Sequence, residues 1–166
     1  MLPKQIDPIQ LADTKKSLKG ELPLSEMDRL KDLIYGNAGT VLIDFKFGRD
    51  ILKFPYVRGS IKTGFEVICQ RCNSPMSLTL NIAVEVSPIR NDEEAELLPK
   101  NYDPLLLAGD TVELMPMVEE EILLSIPLVP KHSLNECNVK SSTFVECKDE
   151  KDKKNPFDEL KKLLRE

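Results

Sequence analysis

The stretch "IKTGFEVICQRCNSPMSLTLNIAVEV", residues 61–86, decides the fold. Every second residue from Ile61 to Cys69 falls on one face, and after the two cysteines the same holds from Leu78 to Val86. Alternation with a period of two is typical of β-strands that bury one face and expose the other. The stretch therefore predicts a β-hairpin that carries the Cys-x-x-Cys (CxxC) motif at its tip.

The segments before this hairpin extend it into a sheet. "TVLIDFKF" (residues 40–47) alternates in the same way, and "DILKFPYVRGS" (50–60) is a second extended run in which Pro55 indicates an edge or a bend. Four consecutive strands with short connections predict an antiparallel meander. We therefore expect an α+β fold, in which an antiparallel β-sheet (a meander with the CxxC hairpin) is flanked by short helices.

Two short helices are expected before the sheet. One is capped by Asp7 and runs to about Leu18. The other, "SEMDRLKDLIYGN", is capped by Ser25 and ends at Gly36. The apolar stripe of this second helix comprises Met27, Leu30, Leu33 and Ile34.

A third helix is predicted within "TVELMPMVEEEILLSIPLVPKH" (111–132). Its three glutamates, residues 119–121, are interpreted as a solvated run near the helix start, where the helix dipole favours acids. The earlier acidic run, residues 92–96, predicts a solvated loop or a short helix. The apolar side of the third helix comprises Val118, Ile122 and Leu123.

The chain is expected to form a single α+β domain over residues 1–146. "CKDEKDKK" (147–154) is dominated by Lys, Asp and Glu and therefore predicts a charged linker. "NPFDELKKLLRE" (155–166) then predicts a C-terminal amphipathic helix that docks on the domain or on a partner.

Composition and charge exclude several functional classes. No apolar run approaches the roughly 18–20 residues of a membrane helix, and the N-terminus lacks the apolar core of a signal peptide, so we expect a cytoplasmic protein without membrane contact. The chain has one histidine and no Gly-rich phosphate loop. We therefore expect no enzyme, no catalytic residue and no small-molecule substrate. With a net charge of −5, any RNA contact must come from a local basic patch, such as Arg71 and the Lys-rich tail, or through a protein.

The cysteines suggest a metal site. A CxxC motif at a hairpin tip supplies half of a common zinc arrangement, and His132 and Cys137 can supply the other half. The proposed set is Cys69, Cys72, His132 and Cys137, which fills all four positions of a structural zinc ion. Cys147 is a rival fourth ligand.

Other interpretations of these residues stay open. Cys69 lies on the apolar face of its strand and can be a small core residue. The two cysteines can form a redox dithiol, although such motifs normally open a helix that lowers a thiol pKa. His132 can simply fill a loop.

Several motifs in order resemble a known family. "CQRCNSPM" is followed by "SPIRNDEEAELLPKNYDPL", by "MVEEEILLSIPLVPKH" with a cysteine five residues after the histidine, and by "NPFDELKKLL". This series resembles the bacterial YceD family, the large ribosomal RNA subunit accumulation proteins. The resemblance runs from about Ile61 to the C-terminus, and more loosely into the N-terminal region.

The resemblance implies a non-enzymatic role in the synthesis, processing or stability of 23S ribosomal RNA, and so in ribosome biogenesis. It also implies metal and nucleic-acid binding, which at the matching positions falls to the proposed four ligands. Cys147 lies outside the family motifs. The acidic charge favours a partner that is a ribosomal protein or assembly factor of the large subunit, with rRNA contacted in part through it. The alternatives are a zinc-containing RNA-binding module and a thiol redox protein.

Overall fold

A computed structural model describes residues 2–36 and 39–139 of the chain. The strands are β1 (Gln5–Ile6), β2 (Ser17–Pro23), β3 (Thr40–Arg49), β4 (Pro55–Ile68), β5 (Pro75–Ile89), β6 (Asp103–Leu106) and β7 (Val112–Glu113). The helices are α1 (Pro8–Asp13), α2 (Asp92–Glu96) and α3 (Leu114–Ser125), and Leu24–Glu26 form a short 3₁₀ helix. One sheet has the strand order β2-β3-β4-β5-β6, and β1 pairs with β7 separately.

The predicted α+β fold and its CxxC hairpin are confirmed, but the sheet is built differently from the prediction. Pro55 begins β4, so the two extended runs predicted on either side of residue 60 form one strand of 14 residues. The fourth antiparallel strand is β2 instead. The expectation of a wholly antiparallel sheet is wrong at one edge, where β6 pairs parallel to β5. A parallel neighbour requires a crossover, and the connection through α2 supplies it.

The helix predicted from Asp7 to about Leu18 ends at Asp13. Asp7 caps it as expected, because its side chain accepts a hydrogen bond from the backbone N–H of Gln10 at 2.8 Å. After α1 the chain pairs with β3 over the seven residues of β2 and buries Leu22. Pairing and burial outweigh helix propensity here, because short helices are marginally stable without tertiary support.

The helix predicted over residues 25–36 is absent, and the chain forms turns there beyond the short 3₁₀ helix. Met27, Leu30 and Ile34 are buried, as the predicted stripe requires. Leu33, the fourth member of that stripe, is 53% exposed. Three of the four buried positions were therefore predicted correctly, but Leu33 and the backbone conformation of the segment were not.

Glu119 on α3 is a buried carboxylate that holds this turn segment. Its Oε1 accepts hydrogen bonds from the backbone N–H groups of Arg29 at 2.7 Å and Leu30 at 3.0 Å. Glu119 is only 6% exposed, so the interpretation of a solvated glutamate run is wrong at this position. A charged acceptor forms stronger hydrogen bonds than the backbone carbonyls that a helix would offer, which favours the turns.

Replacement of Glu119 by Ala should lower the free energy of unfolding by about 2–3 kcal/mol, because one buried and one partly buried N–H group lose their acceptor. Urea denaturation measures this change. Glu120→Ala is the matched control, since Glu120 is the next residue of the same helix and is exposed. Its effect should stay within about 0.5 kcal/mol. Equal effects of the two substitutions would contradict the assignment.

The core lies on one face of the sheet and includes residues from α1 and α3. The alternation predicted for residues 40–47 and 61–69 is confirmed, because the predicted inward positions are buried. On β5 the inward residues from Leu78 to Ile82 are half-buried, and Val84 and Val86 are buried. Fully buried side chains of the sheet include Val41, Phe45, Val57, Ile61 and Val67.

Gly59 occupies a close approach of β4 to β3. A Cβ atom at this position would lie 1.9 Å from the backbone carbonyl oxygen of Asp44. Gly59→Ala should therefore force the strands apart and lower the free energy of unfolding by about 3 kcal/mol, measured by urea denaturation. Gly64→Ala in the same strand is the control, because the nearest atom would lie 3.7 Å away. It should leave stability unchanged or raise it by about 0.5–1 kcal/mol, and a comparable loss at both positions would refute this explanation.

The acidic run is the exposed helix α2, capped by the Asn91 side chain, which accepts a hydrogen bond from the N–H of Glu94 at 2.9 Å. The predicted linker (147–154) and C-terminal helix (155–166) lie outside the described residues, so the domain boundaries stay predictions. In the part of the chain that the structure describes, no helix is long and apolar enough to cross a membrane.

Candidate metal centre

The CxxC motif lies in the tight turn between β4 and β5. The N–H of Cys69 donates to the carbonyl of Ser74 at 3.0 Å, and the N–H of Asn73 donates to the carbonyl of Cys69 at 2.9 Å. Asn73 has a left-handed backbone with a φ of 54°, which asparagine tolerates better than most residues. The turn brings the sulfur atoms of Cys69 and Cys72 close together.

The other two predicted ligands come from the segment that follows α3. Its backbone is joined to the CxxC turn, since the N–H of Gln70 donates to the carbonyl of Pro130 at 2.8 Å. The N–H of His132 donates to Cys69 Sγ at 3.4 Å. A short turn closed by backbone hydrogen bonds then places Cys137. The segment therefore folds back onto the hairpin, as a common site with the CxxC motif requires.

All four predicted ligands meet at one point. One ligand atom each from Cys69, Cys72, His132 and Cys137 lies within 4.8 Å of the other three. A tetrahedral zinc ion, with Zn–S of about 2.3 Å and Zn–N of about 2.0 Å, sets sulfur and nitrogen about 3.5 Å apart. The distance from Cys72 Sγ to His132 Nδ1 is 3.3 Å, so these side chains fit such an ion.

The imidazole of His132 is oriented through both of its nitrogen atoms. Nδ1 faces Cys72 Sγ, and Nε2 lies 3.2 Å from the carbonyl oxygen of Pro75. When Nε2 carries the proton, it donates to this carbonyl and leaves the lone pair of Nδ1 directed at the sulfur atoms. Metal-binding histidines usually hold their second nitrogen in this way.

The surroundings of Cys69 favour its thiolate. Burial raises the pKa of this thiol, but N–H groups of His132, Arg71 and Cys72 donate to the sulfur and lower the pKa to about 5. The pKa of His132 is raised, chiefly by its hydrogen bond with Cys69 and further by the one with Cys72. Burial of the imidazole lowers this pKa but does not cancel the rise. The sulfur atoms of the cluster therefore favour a positive charge next to them. Either a proton on His132 or a bound metal cation can provide that charge.

Arg71, between the two cysteines of the motif, faces the segment after α3. Its Nε lies 3.1 Å from Cys137 Sγ, and its Nη2 donates to the carbonyl of His132 at 2.7 Å. The sequence suggested Arg71 as a local RNA contact, whereas its guanidinium is engaged within the protein. Sequence reasoning missed these contacts, and the one available signal was the position of Arg71 inside the motif.

The positions of the cysteines also bear on the other interpretations, a core residue, a rival ligand and a redox pair. Cys69 is fully buried, as a core residue would be, but its sulfur belongs to the cluster. Cys147, the rival ligand, lies outside the described residues. Cys69, Cys72 and Cys137 form no disulfide with one another.

Comparison with known proteins defines the class to which this chain belongs. The model of the family described as "Large ribosomal RNA subunit accumulation protein YceD" matches residues 57–164, which include all four residues of the cluster. The Large ribosomal RNA subunit accumulation protein YceD of Haemophilus influenzae is 31% identical over 145 residues, which cover 87% of this chain and 83% of that protein. The chain belongs to the YceD family, and the resemblance seen in the sequence is confirmed. No solved structure gives a significant match.

Proposed function

We propose that this protein is a non-enzymatic factor in the synthesis, processing or stability of 23S ribosomal RNA, and so in assembly of the large subunit. Family membership carries this proposal, because the family and the Haemophilus relative are both named for accumulation of the large ribosomal RNA subunit. We place its action in the cytoplasm, where bacterial ribosomes are assembled, with no small-molecule substrate and no membrane contact.

Within this proposal, Cys69, Cys72, His132 and Cys137 hold one structural zinc ion. The convergence of their ligand atoms within 4.8 Å and the orientation of His132 support this assignment. The ion would fasten the segment after α3 to the CxxC turn. Four protein ligands leave no coordination position for water, so the site is suited to stability rather than hydrolysis.

The partner that suits the charge of this protein is a basic ribosomal protein or assembly factor of the large subunit. The net charge is −5, and α2 adds an exposed acidic surface. Complementary charge speeds association and selects partners. Nε and Nη2 of Arg71 already hydrogen bond within the protein, so other basic side chains are better suited to direct contact with rRNA.

A thiol redox function has one supporting observation, the lowering of the pKa of Cys69 to about 5. A reactive thiolate must also be reachable by its substrate, and Cys69 is fully buried. A buried, acidified thiol next to three further ligands is better suited to a metal ion, so we prefer the zinc site.

Untagged protein should carry about one zinc ion per chain, and Cys72→Ser should lose it. The variant should also melt at a lower temperature, because binding of a structural ion contributes to the free energy of folding. Elemental analysis and thermal unfolding with and without a chelator measure both effects. Cys147→Ser is the matched control and should retain the ion. A stably folded parent protein without metal would contradict the zinc assignment.

Deletion of the gene should reduce large ribosomal subunits and 23S rRNA relative to small subunits, because large-subunit assembly would lack this factor. Density-gradient profiles of ribosomal particles measure the effect. The intact gene should restore the profile, and a gene with Cys72→Ser should restore it less. A normal subunit profile in a clean deletion would rule out the proposed role.

A further inference from the structure

In the part of the chain that the structure describes, few hydrogen bonds apart from those of the ligands join the two halves of the metal centre. Within residues 2–36 and 39–139, Arg71 is the one side chain other than the four proposed ligands that hydrogen bonds from the CxxC turn to the segment after α3. The remaining connection is the backbone bond from Gln70 to Pro130. The side chain of Arg71 therefore contributes a large share of the hydrogen bonds between these segments.

The contacts of Arg71 reach both ligand residues of the second segment. Nε approaches the sulfur of Cys137 at 3.1 Å, and Nη2 donates to the carbonyl oxygen of His132 at 2.7 Å, with Ser133 as a longer second acceptor at 3.4 Å. Two donors of one planar guanidinium thus fix the sulfur of one ligand and the backbone of the other. The single ammonium of a lysine lacks this fixed fork of donors.

The charge of Arg71 also matches the cluster. Three thiolates and a neutral imidazole around a divalent ion carry one net negative charge, and the half-buried residue Arg71 supplies one positive charge beside them. An N–H group directed at a thiolate stabilises the charged form of the sulfur and holds it in place. Such contacts to metal ligands commonly determine how tightly an ion is held.

We propose that Arg71 is a positioning residue of the metal centre. Its Nε donates to the sulfur of Cys137 and its Nη2 donates to the carbonyl of His132, so that the second segment presents both ligands to the CxxC turn. This inference rests on the proposed zinc site. It also occupies Nε and Nη2 of Arg71, which disfavours a contact between Arg71 and RNA.

The test compares full-length parent protein with Arg71→Gln and Arg71→Lys. Zinc affinity is measured by competition with a colorimetric chelator, and the visible spectrum is recorded after substitution with Co²⁺. Arg71→Gln should bind zinc about 10–100-fold more weakly, with Arg71→Lys between it and the parent. The thiolate-to-cobalt absorption band should shift in Arg71→Gln, because Cys137 Sγ loses its N–H donor. A general loss of stability would not by itself produce this shift.

Arg90→Gln is the matched control and should bind zinc like the parent. Arg90 follows β5 at the end opposite the CxxC turn and is 61% exposed in its pair with Asp110. If Arg71→Gln does not fold, parent-like affinity in Arg71→Lys would overturn the inference.

The outcomes separate this inference from the proposed zinc site. A parent protein that binds no zinc would overturn both. A parent that binds zinc, with Arg71→Gln equal to it in affinity and spectrum, would overturn only the role of Arg71. Parent-like zinc binding combined with loss of binding to purified 23S rRNA would also overturn it, and would make Arg71 an RNA contact.

Discussion

The antiparallel pairing of β4 with β5 is the interaction on which the rest of the structure depends. It runs from Val57 opposite Val86 to Ile68 opposite Pro75, near the centre of the five-stranded sheet. Its inner face supplies much of the core, and its closed end forms the CxxC turn. Because long paired strands restrict that turn, the fold brings the sulfur atoms of Cys69 and Cys72 close together.

Helix α3 connects the turn segment near Leu30 with the segment that returns to the CxxC turn. Val118 and Ile122 are fully buried, Glu119 binds the backbone of the turn segment near Leu30, and the chain after the helix returns to the CxxC turn with His132. Closing a loop of about sixty residues costs conformational entropy, although the cost grows slowly with length. Burial of α3 offsets part of this cost. The contacts at the cluster then have to hold only the short segment that follows α3.

Features with a simple period could be predicted from the sequence. The inward residues of β3 and β4 were recognised because burial of one sheet face makes apolar and polar residues alternate with a period of two. The four clustered residues were recognised because Cys and His are few in this chain. Residues 17–18 and 25–36 were wrongly predicted as helical, because local caps and apolar spacing there suit helices. A neighbouring strand and a buried carboxylate decide their conformation instead. Nothing local to Glu119 distinguishes it from the exposed Glu120 beside it.

The sequence by itself determined the hairpin, the position of the CxxC motif at its tip, the identity of the candidate ligands and the family. These follow from residue types and local spacing, which a linear chain displays directly. Only the tertiary structure decided that β6 pairs parallel to β5, that Glu119 is buried and that Arg71 turns onto the segment with His132 and Cys137. Each of these depends on contacts between residues far apart in the chain. The free energy of such a contact depends on which partner lies opposite the residue in the folded protein, and local sequence does not reveal that partner.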